Sequence, residues 1–237
     1  MSKKVKNIPC ELCLSRRKSM FNDLPHEALC TLSEKKSTLS HNKGQILFLE
    51  GTLPMGLFCI SEGKVKIFKT DDSGREQIVR LAKEGDFLGY RALLSGENYN
   101  SSATILEEAK VCFIPKSSFK ELIGKDTNFQ NRLMQAVCHD LGIMEQKMAD
   151  MANKTVRQRL ATTLLMLKNS YGIDGDEKTE IDIALTREDL AQVVGTATET
   201  VIRLLSEFKK DNLIDIKGKK IAVLDEEGLA REINLFA

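Results

Sequence analysis

The sequence predicts an α+β chain in three parts: an N-terminal antiparallel β-roll, double-stranded and jelly-roll-like, then a long dimerisation helix, then a winged helix-turn-helix. Three observations carry this reading. Between residues 37 and 115, short β-branched and aromatic runs are punctuated by Gly44, Gly51, Gly63, Gly74, Gly85, Gly89 and Gly96. From about 127 to 151, apolar residues recur at spacings of three and four. Residues 186–224 read as two short helices about a glycine, followed by a hairpin.

In the roll, LFCIS (57–61), KVKIFK (64–69), EQIVRLA (76–82) and KVCFIP (110–115) are the strand candidates, with EGK and DDSG as turns. Strands at such short intervals with no helical period between them point to a small antiparallel roll. After Pro115, residues 116–123 read as a short helix. Leu133, Val137, Leu141, Met144, Met148 and Met151 then form a seam at spacings of 4, 4, 3, 4 and 3, as along a coiled-coil helix. That seam is read as a dimer interface, with packing inside its own domain as the alternative. A helix over 154–170 would bury Val156, Leu160, Leu164 and Leu167, and YGIDGDEKTE (171–180) reads as a polar loop. The parts are therefore set at 1–36 for a cysteine-containing segment with a short helix, 37–125 for the β-roll, 126–152 for the dimerisation helix and 153–237 for the winged helix-turn-helix.

The 237 residues are 42% hydrophobic and 29% charged, the range of a folded protein of one or two domains. No apolar run reaches the roughly 20 residues that span a bilayer, and the basic start MSKKVKNIPC leads into no hydrophobic segment, so a cytoplasmic protein without a membrane partner is expected. With 35 Lys and Arg against 34 Asp and Glu, net charge alone would not nominate nucleic acid. Such a partner must be sought in local patterning.

That patterning lies in LTREDLAQVVGTATETVIRLLSEFKKDNLIDIKGKKIAVLD. Thr186 with Asp189 makes a capping box for a first helix whose buried face is Leu190, Val193 and Val194. Gly195 permits a sharp turn, and Thr196 is expected to begin the second helix, with Glu199 three residues on. Val201, Leu204, Leu205 and Phe208 share one stripe of it; Thr198, Glu199, Ile202, Arg203 and Ser206 share the opposite one. Arg203 can donate to guanine O6 and N7, Glu199 can accept from the cytosine amine, and Ile202 can touch a thymine methyl. Lys217, Lys219 and Lys220 around Gly218 form a wing tip suited to phosphates. Thr186, Thr196 and Thr200 complete the expected contact set. Taken singly, these residues read as caps, surface ion pairs or an exposed turn; jointly they specify a DNA-reading face.

On these residues, together with KGQILFLEG, SEGKVKIFK, EGDFLG and the long helix, the chain resembles the CRP/FNR superfamily of bacterial transcription regulators over about residues 20–225. The resemblance implies a homodimer joined along the long helix, a sensor roll, and recognition helices entering successive major grooves of a palindromic double-stranded site. It also implies Glu199 and Arg203 as base contacts, Thr198 and Ile202 as positions that vary with site preference, and RNA polymerase as a partner. Members that bind cyclic AMP carry an Arg after the EGDFLG-type turn to neutralise the cyclic phosphate. Here NSSAT (100–104) places Ser101 at that position; Gly85, Gly89 and Ser102 fit the older pocket without its charge, so cyclic AMP is not expected.

Oxygen-sensing members hold an iron–sulfur cluster through N-terminal cysteines and one distant strand cysteine. Cys10, Cys13 and Cys112 match three of those positions, Ser19 replaces the third close cysteine, and Cys30 is the candidate to complete four thiolates. The same pair can bind zinc, form a reversible disulfide or carry no cofactor, and Cys112 can be a buried hydrophobe. Cys59 is read as core packing, Cys138 has no visible partner, and His26, His41 and His139 lack metal-ligand spacing. Two readings stand beside the redox regulator. One is a regulator answering a small molecule in the roll; the other is a thiol–disulfide oxidoreductase using Cys10 and Cys13. The second is disfavoured because the pair does not open a helix after a strand.

Overall fold

The turn between the third and fourth strands of the roll, at Gly63, shows why glycine punctuates this sequence. Gly63 sits at φ +88°, where a Cβ would meet Glu108 O at 2.3 Å, so only a residue without a side chain lets the chain reverse there. A computed structural model describes residues 3–4, 8–174 and 179–233. It divides into two units, Met1–Leu141 and Gly142–Ala237.

The first unit opens with β1 (Lys3–Lys4), two 3-10 turns (Cys10–Leu12 and Ser15–Lys18) and α1 (His26–Lys35). The roll follows: β2 (Ser37–His41), β3 (Ile46–Phe48), β4 (Gly56–Glu62), β5 (Val65–Thr70), β6 (Glu76–Ala82), β7 (Phe87–Leu88), α2 (Tyr90–Ser95), β8 (Ser102–Ile105) and β9 (Ala109–Pro115). Two antiparallel sheets result, ordered β1-β2-β9-β4-β7 and β3-β8-β5-β6. Between them Ile60, Val65, Ala82, Ala103, Ile105 and Val111 form one core. A second core gathers Phe21, Leu29 and Leu32 with Leu57 and Ile114, and with Phe119 of α3 (Lys116–Lys125). Phe129 and Leu133 of α4 (Thr127–Asn153) complete it. The N-terminal turns and α1 are thereby packed against the β4–β9 side of the roll.

The second unit contains α5 (Val156–Tyr171), β10 (Gly172–Asp174), β11 (Thr179–Ile181), α6 (Arg187–Val194), α7 (Thr198–Lys210), β12 (Ile214–Lys217), β13 (Lys220–Val223) and α8 (Glu226–Ile233). Thr155 caps α5 in a capping box with Gln158. Leu160, Leu164 and Leu167 of α5 are buried, as are Leu190, Val194, Val201, Leu205, Phe208 and Leu229.

Two expectations are corrected here. The stretch 171–180 is not simply a polar loop: Thr179 and Glu180 pair with Val223 and Ala222, and β10 pairs with β11, extending the hairpin to the sheet β10-β11-β13-β12. An open edge of the wing offers hydrogen bonds that override a polar sequence's weak strand preference. Nor does Thr196 begin the second helix. Its N–H and that of Gly195 both donate to Ala191 O, so it belongs to the end of α6; α7 starts at Thr198 with Ala197 as an uncapped N-cap.

Candidate functional site

The helix pair is built by its caps. Thr186 accepts from the Asp189 N–H, and the Asp189 carboxylate accepts from the Thr186 N–H at 3.0 Å and hydroxyl at 2.7 Å, so this hydroxyl is engaged in starting α6. Gly195 at φ 74° makes the left-handed turn. In α7, Val201, Leu204, Leu205 and Phe208 are buried, whereas Glu199, Ile202, Arg203 and Ser206 are exposed and Thr198 and Thr200 half-exposed. Arg203 Nη1 donates to Glu207 Oε1 at 2.6 Å, pairing forward along the helix rather than back to Glu199. Glu207 also accepts from Arg157 Nη1 at 2.9 Å.

At the wing tip, Lys217 and Lys219 are exposed, while Lys220 Nζ stands 2.5 Å from Glu180 Oε1. Arg187, which sequence reasoning passed over, donates from Nη2 to Gly218 O at 3.1 Å and ties the wing turn to the start of α6. Its signal was its position as the first residue of that helix, beside the Thr186 cap.

The seam of α4 divides. Leu133 is 3% exposed within the N-terminal core and is corrected from an interface residue to a core residue, because its side of the helix meets Phe129's neighbours. Val137 is partly buried against that same core. Met134 at 63%, Leu141 at 57% and Met148 at 74% exposure form an open row, with Met144 half-exposed and Met151 exposed beside it.

In the roll, the candidate effector residues are occupied by packing. Ser102 is buried and accepts from the Glu50 N–H at 3.0 Å, and Ser101 is half-exposed beside it. Gly89 lies against Tyr99, whose ring stacks on Phe48 at 4.1 Å; Phe48 stacks in turn on Phe58 at 5.6 Å. A Cβ at Gly85 would stand 2.9 Å from Lys18 O.

The cysteines are sorted differently from the sequence expectation. A cavity of about 20 Å³ is lined by Cys10, Cys13, Cys59 and Cys112, with Lys36 and Ser19. Cys59 packs against the second core, as expected, and also lines this thiol cavity, a role the sequence reading did not give it. Cys30 is corrected out of it: on α1 it faces away from the buried Leu29 and Leu32, and its Sγ lies 3.5 Å from His26 Nδ1, one turn back. Cys59 and Cys112 stand directly opposite on β4 and β9. Lys36 Nζ, on a buried side chain, donates to Ile8 O at 2.7 Å and lies 3.7 Å from Cys112 Sγ. Burial works against the Lys36 charge, but Cys112 and Cys10 outweigh it and hold its pKa above the ordinary value. Burial pushes the Cys59 thiol well up, and the neighbouring Cys112, Cys13 and Cys10 push the same way. Among the described residues, no three Cys, His, Asp or Glu side chains already converge to metal-binding distance. None of the described helices is long and apolar enough to cross a membrane.

A sensor-type roll continued by a long helix into a capped helix pair with a wing defines a DNA-binding transcription regulator. Residues 38–126 match the family described as cyclic nucleotide-binding domain, and residues 158–232 match the Crp-like helix-turn-helix domain. The fumarate and nitrate reduction regulatory protein of Yersinia pestis is 30% identical over 211 residues, 89% of this chain and 83% of that protein. Electron transport regulator A of Shewanella oneidensis is 29% identical, covering 89% and 82%. The fold is shared with a CRP/FNR-family transcriptional regulator from Thermus thermophilus, at TM-score 0.70 and 23% identity over 83% of this chain and 98% of that one. The chain belongs to the CRP/FNR family of transcription regulators. Its relatives are regulators, and the oxidoreductase alternative falls with that assignment.

Proposed function

We propose that the protein is a homodimer that binds a palindromic DNA site through α7 and controls transcription in response to redox state or oxygen, sensed at the thiol group of the first unit. The observation that carries the DNA reading is the sorting of α7, with apolar residues buried and Glu199, Ile202 and Arg203 presented together near its N-terminal end. Glu199 and Arg203 are assigned to base edges; Thr198 and Ile202 set site preference, Thr196 and Thr200 flank them, and Lys217, Lys219 and Lys220 hold phosphates. Thr186 acts through the cap that orients α6. The exposed row of α4 is assigned to the second subunit, and RNA polymerase is the partner this family membership implies.

The relatives named for fumarate and nitrate reduction and for electron transport favour a respiratory or oxygen signal. The donor chemistry agrees, since four thiols beside a buried ammonium suit an iron–sulfur cluster better than the ring-filled roll suits a cyclic nucleotide. When bound, such a group supplies one-electron and oxygen-sensitive chemistry. The test is binding to a duplex with two inverted half-sites one helical turn apart, against a scrambled duplex, over a salt series. Preference for the inverted site that persists as salt rises supports the reading; equal affinity for both duplexes at every salt concentration overturns it.

A further inference from the structure

We infer that Cys59 is the fourth thiolate of an iron–sulfur site formed with Cys10, Cys13 and Cys112, and that Lys36 is its charge-balancing neighbour. The inference deepens the redox reading above and rests on it. Three places for a fourth ligand can be compared. Ser19 lines the cavity, but its hydroxyl donates to Arg16 O at 2.7 Å and accepts from the Phe21 N–H at 3.1 Å, so it is engaged in its own turn. Cys30 does not line the cavity, and its Sγ lies 3.5 Å from His26 Nδ1. Cys59 lines the cavity itself, opposite Cys112 in the β4–β9 register. Directly opposed residues of an antiparallel pair project from the same face with Cβ atoms about 4.5–5.5 Å apart, which makes two strand thiols a fixed half of the ligand set.

The other half is carried on the 3-10 turn. Cys10 donates its N–H to Ser33 Oγ at 2.6 Å, and Cys13 Sγ lies 3.0 Å from Ser15 Oγ. Beside the thiol cavity a hollow of about 260 Å³ shares Cys13, Lys36, Ser61 and Cys112 with it, so there is room next to the strand pair for an inorganic core. Since the thiols do not yet stand at metal-binding distance, holding the cluster would require Cys10 and Cys13 to close on the strand pair. Each thiol releases its proton to solvent as its sulfur bonds to iron, which leaves a net negative site. The Lys36 ammonium, already 3.7 Å from Cys112 Sγ, offsets that charge.

The experiment is anaerobic reconstitution of the full chain with ferrous iron and sulfide. Iron, acid-labile sulfide and visible absorption are read alongside mass-spectrometric mapping of which cysteines an alkylating reagent still modifies. Wild type and Cys30→Ala should load equally; Cys59→Ala, checked for folding by circular dichroism, should lose at least half of its iron. In loaded wild type, Cys30 and Cys138 should react while Cys59 is protected. If wild type loads and Cys59→Ala loads as well, or Cys59 is alkylated while Cys30 is shielded, the fourth-ligand assignment is wrong and the redox reading survives. A wild type that takes up no iron and sulfide, or that binds only zinc, overturns the cluster itself. Because Cys59 is already enclosed in the cavity, the mapping compares loaded with metal-free wild type under the same mild denaturant: protection of Cys59 that loading adds supports the assignment even if the alanine variant does not fold, and equal reactivity in the two states overturns it.

Discussion

Arg203 meets Glu207 at 2.6 Å before it meets any base, and it is mostly exposed, so a guanine edge has only a solvated surface pair to displace. Removing it should therefore expose the base contact itself. Arg203→Ala is expected to cost about 1–3 kcal/mol of discrimination at one base pair, leaving non-specific binding unchanged, as read from competition with single-substituted duplexes. Lys217→Ala and Lys219→Ala should instead weaken all sequences alike, each lowering the salt slope of the dimer by about two, one contact per subunit. Arg157 is a different kind of residue. Its guanidinium lies 4.6 Å from the Phe208 ring and bonds Glu232 at 2.6 and 2.9 Å, Glu207 at 2.9 Å and Asp211 at 3.2 Å. Arg157→Ala strands carboxylates around a core ring and should destabilise the second unit by about 1–3 kcal/mol in denaturant titration. Lys cannot restore the planar, forked contacts. For Arg187, by contrast, the sequence shows only its place beside the Thr186 cap; its tie to Gly218 O depends on where the wing folds back.

At the scale of elements, α4 shows what periodicity can and cannot say. The spacing of three and four identified a helix over about 127–151, and the structure has it over Thr127–Asn153. Periodicity does not reveal which of two adjacent apolar stripes faces the chain's own core. Replacing Leu133 by Met134 turns the seam into 134, 137, 141, 144, 148 and 151, a strict alternation of three and four. Leu133→Ala should therefore lower the stability of the first unit by about 2–5 kcal/mol without changing subunit stoichiometry. Leu141→Glu should yield monomers by light scattering while the melting curve of the first unit hardly moves. Capping was legible where a side chain does it, at Thr186 with Asp189, and misleading at Thr196, where backbone bonds to Ala191 decide the boundary. The roll's strands were legible from β-branched runs and glycines. The packing of Cys59 against the core was legible, because alternation along β4 gives its face; its place beside the other thiols was not, because the cross-strand partner and the covering N-terminal turns come from segments far away in sequence.

For the whole molecule, a signal at the thiols can alter DNA binding only if loading favours one arrangement of the protein that also binds DNA differently. Helix α4 is the element that begins in the first unit and ends in the second. Within the first unit it is fastened by Asp140, whose carboxylate accepts from Arg80 Nη1 at 3.1 Å and from the Tyr90 hydroxyl. Arg80 comes from β6 and Tyr90 from α2, so one carboxylate joins two parts of the roll to the helix. Burial, with Asp140 adding to it, pushes Tyr90 up to about 12, so at neutral pH the hydroxyl keeps the proton it donates. Asp140→Asn keeps the size of the side chain and removes the charge that faces Arg80. The ratio of DNA affinities between iron-loaded and metal-free protein should then fall toward one, while iron content and dimerisation stay unchanged. Measuring both affinities on the inverted site for wild type and variant decides it. Because linkage is reciprocal, DNA should also change the rate-independent iron affinity of wild type by the same factor, and that effect should shrink in Asp140→Asn. An undiminished ratio in the variant would place the coupling elsewhere than at this carboxylate.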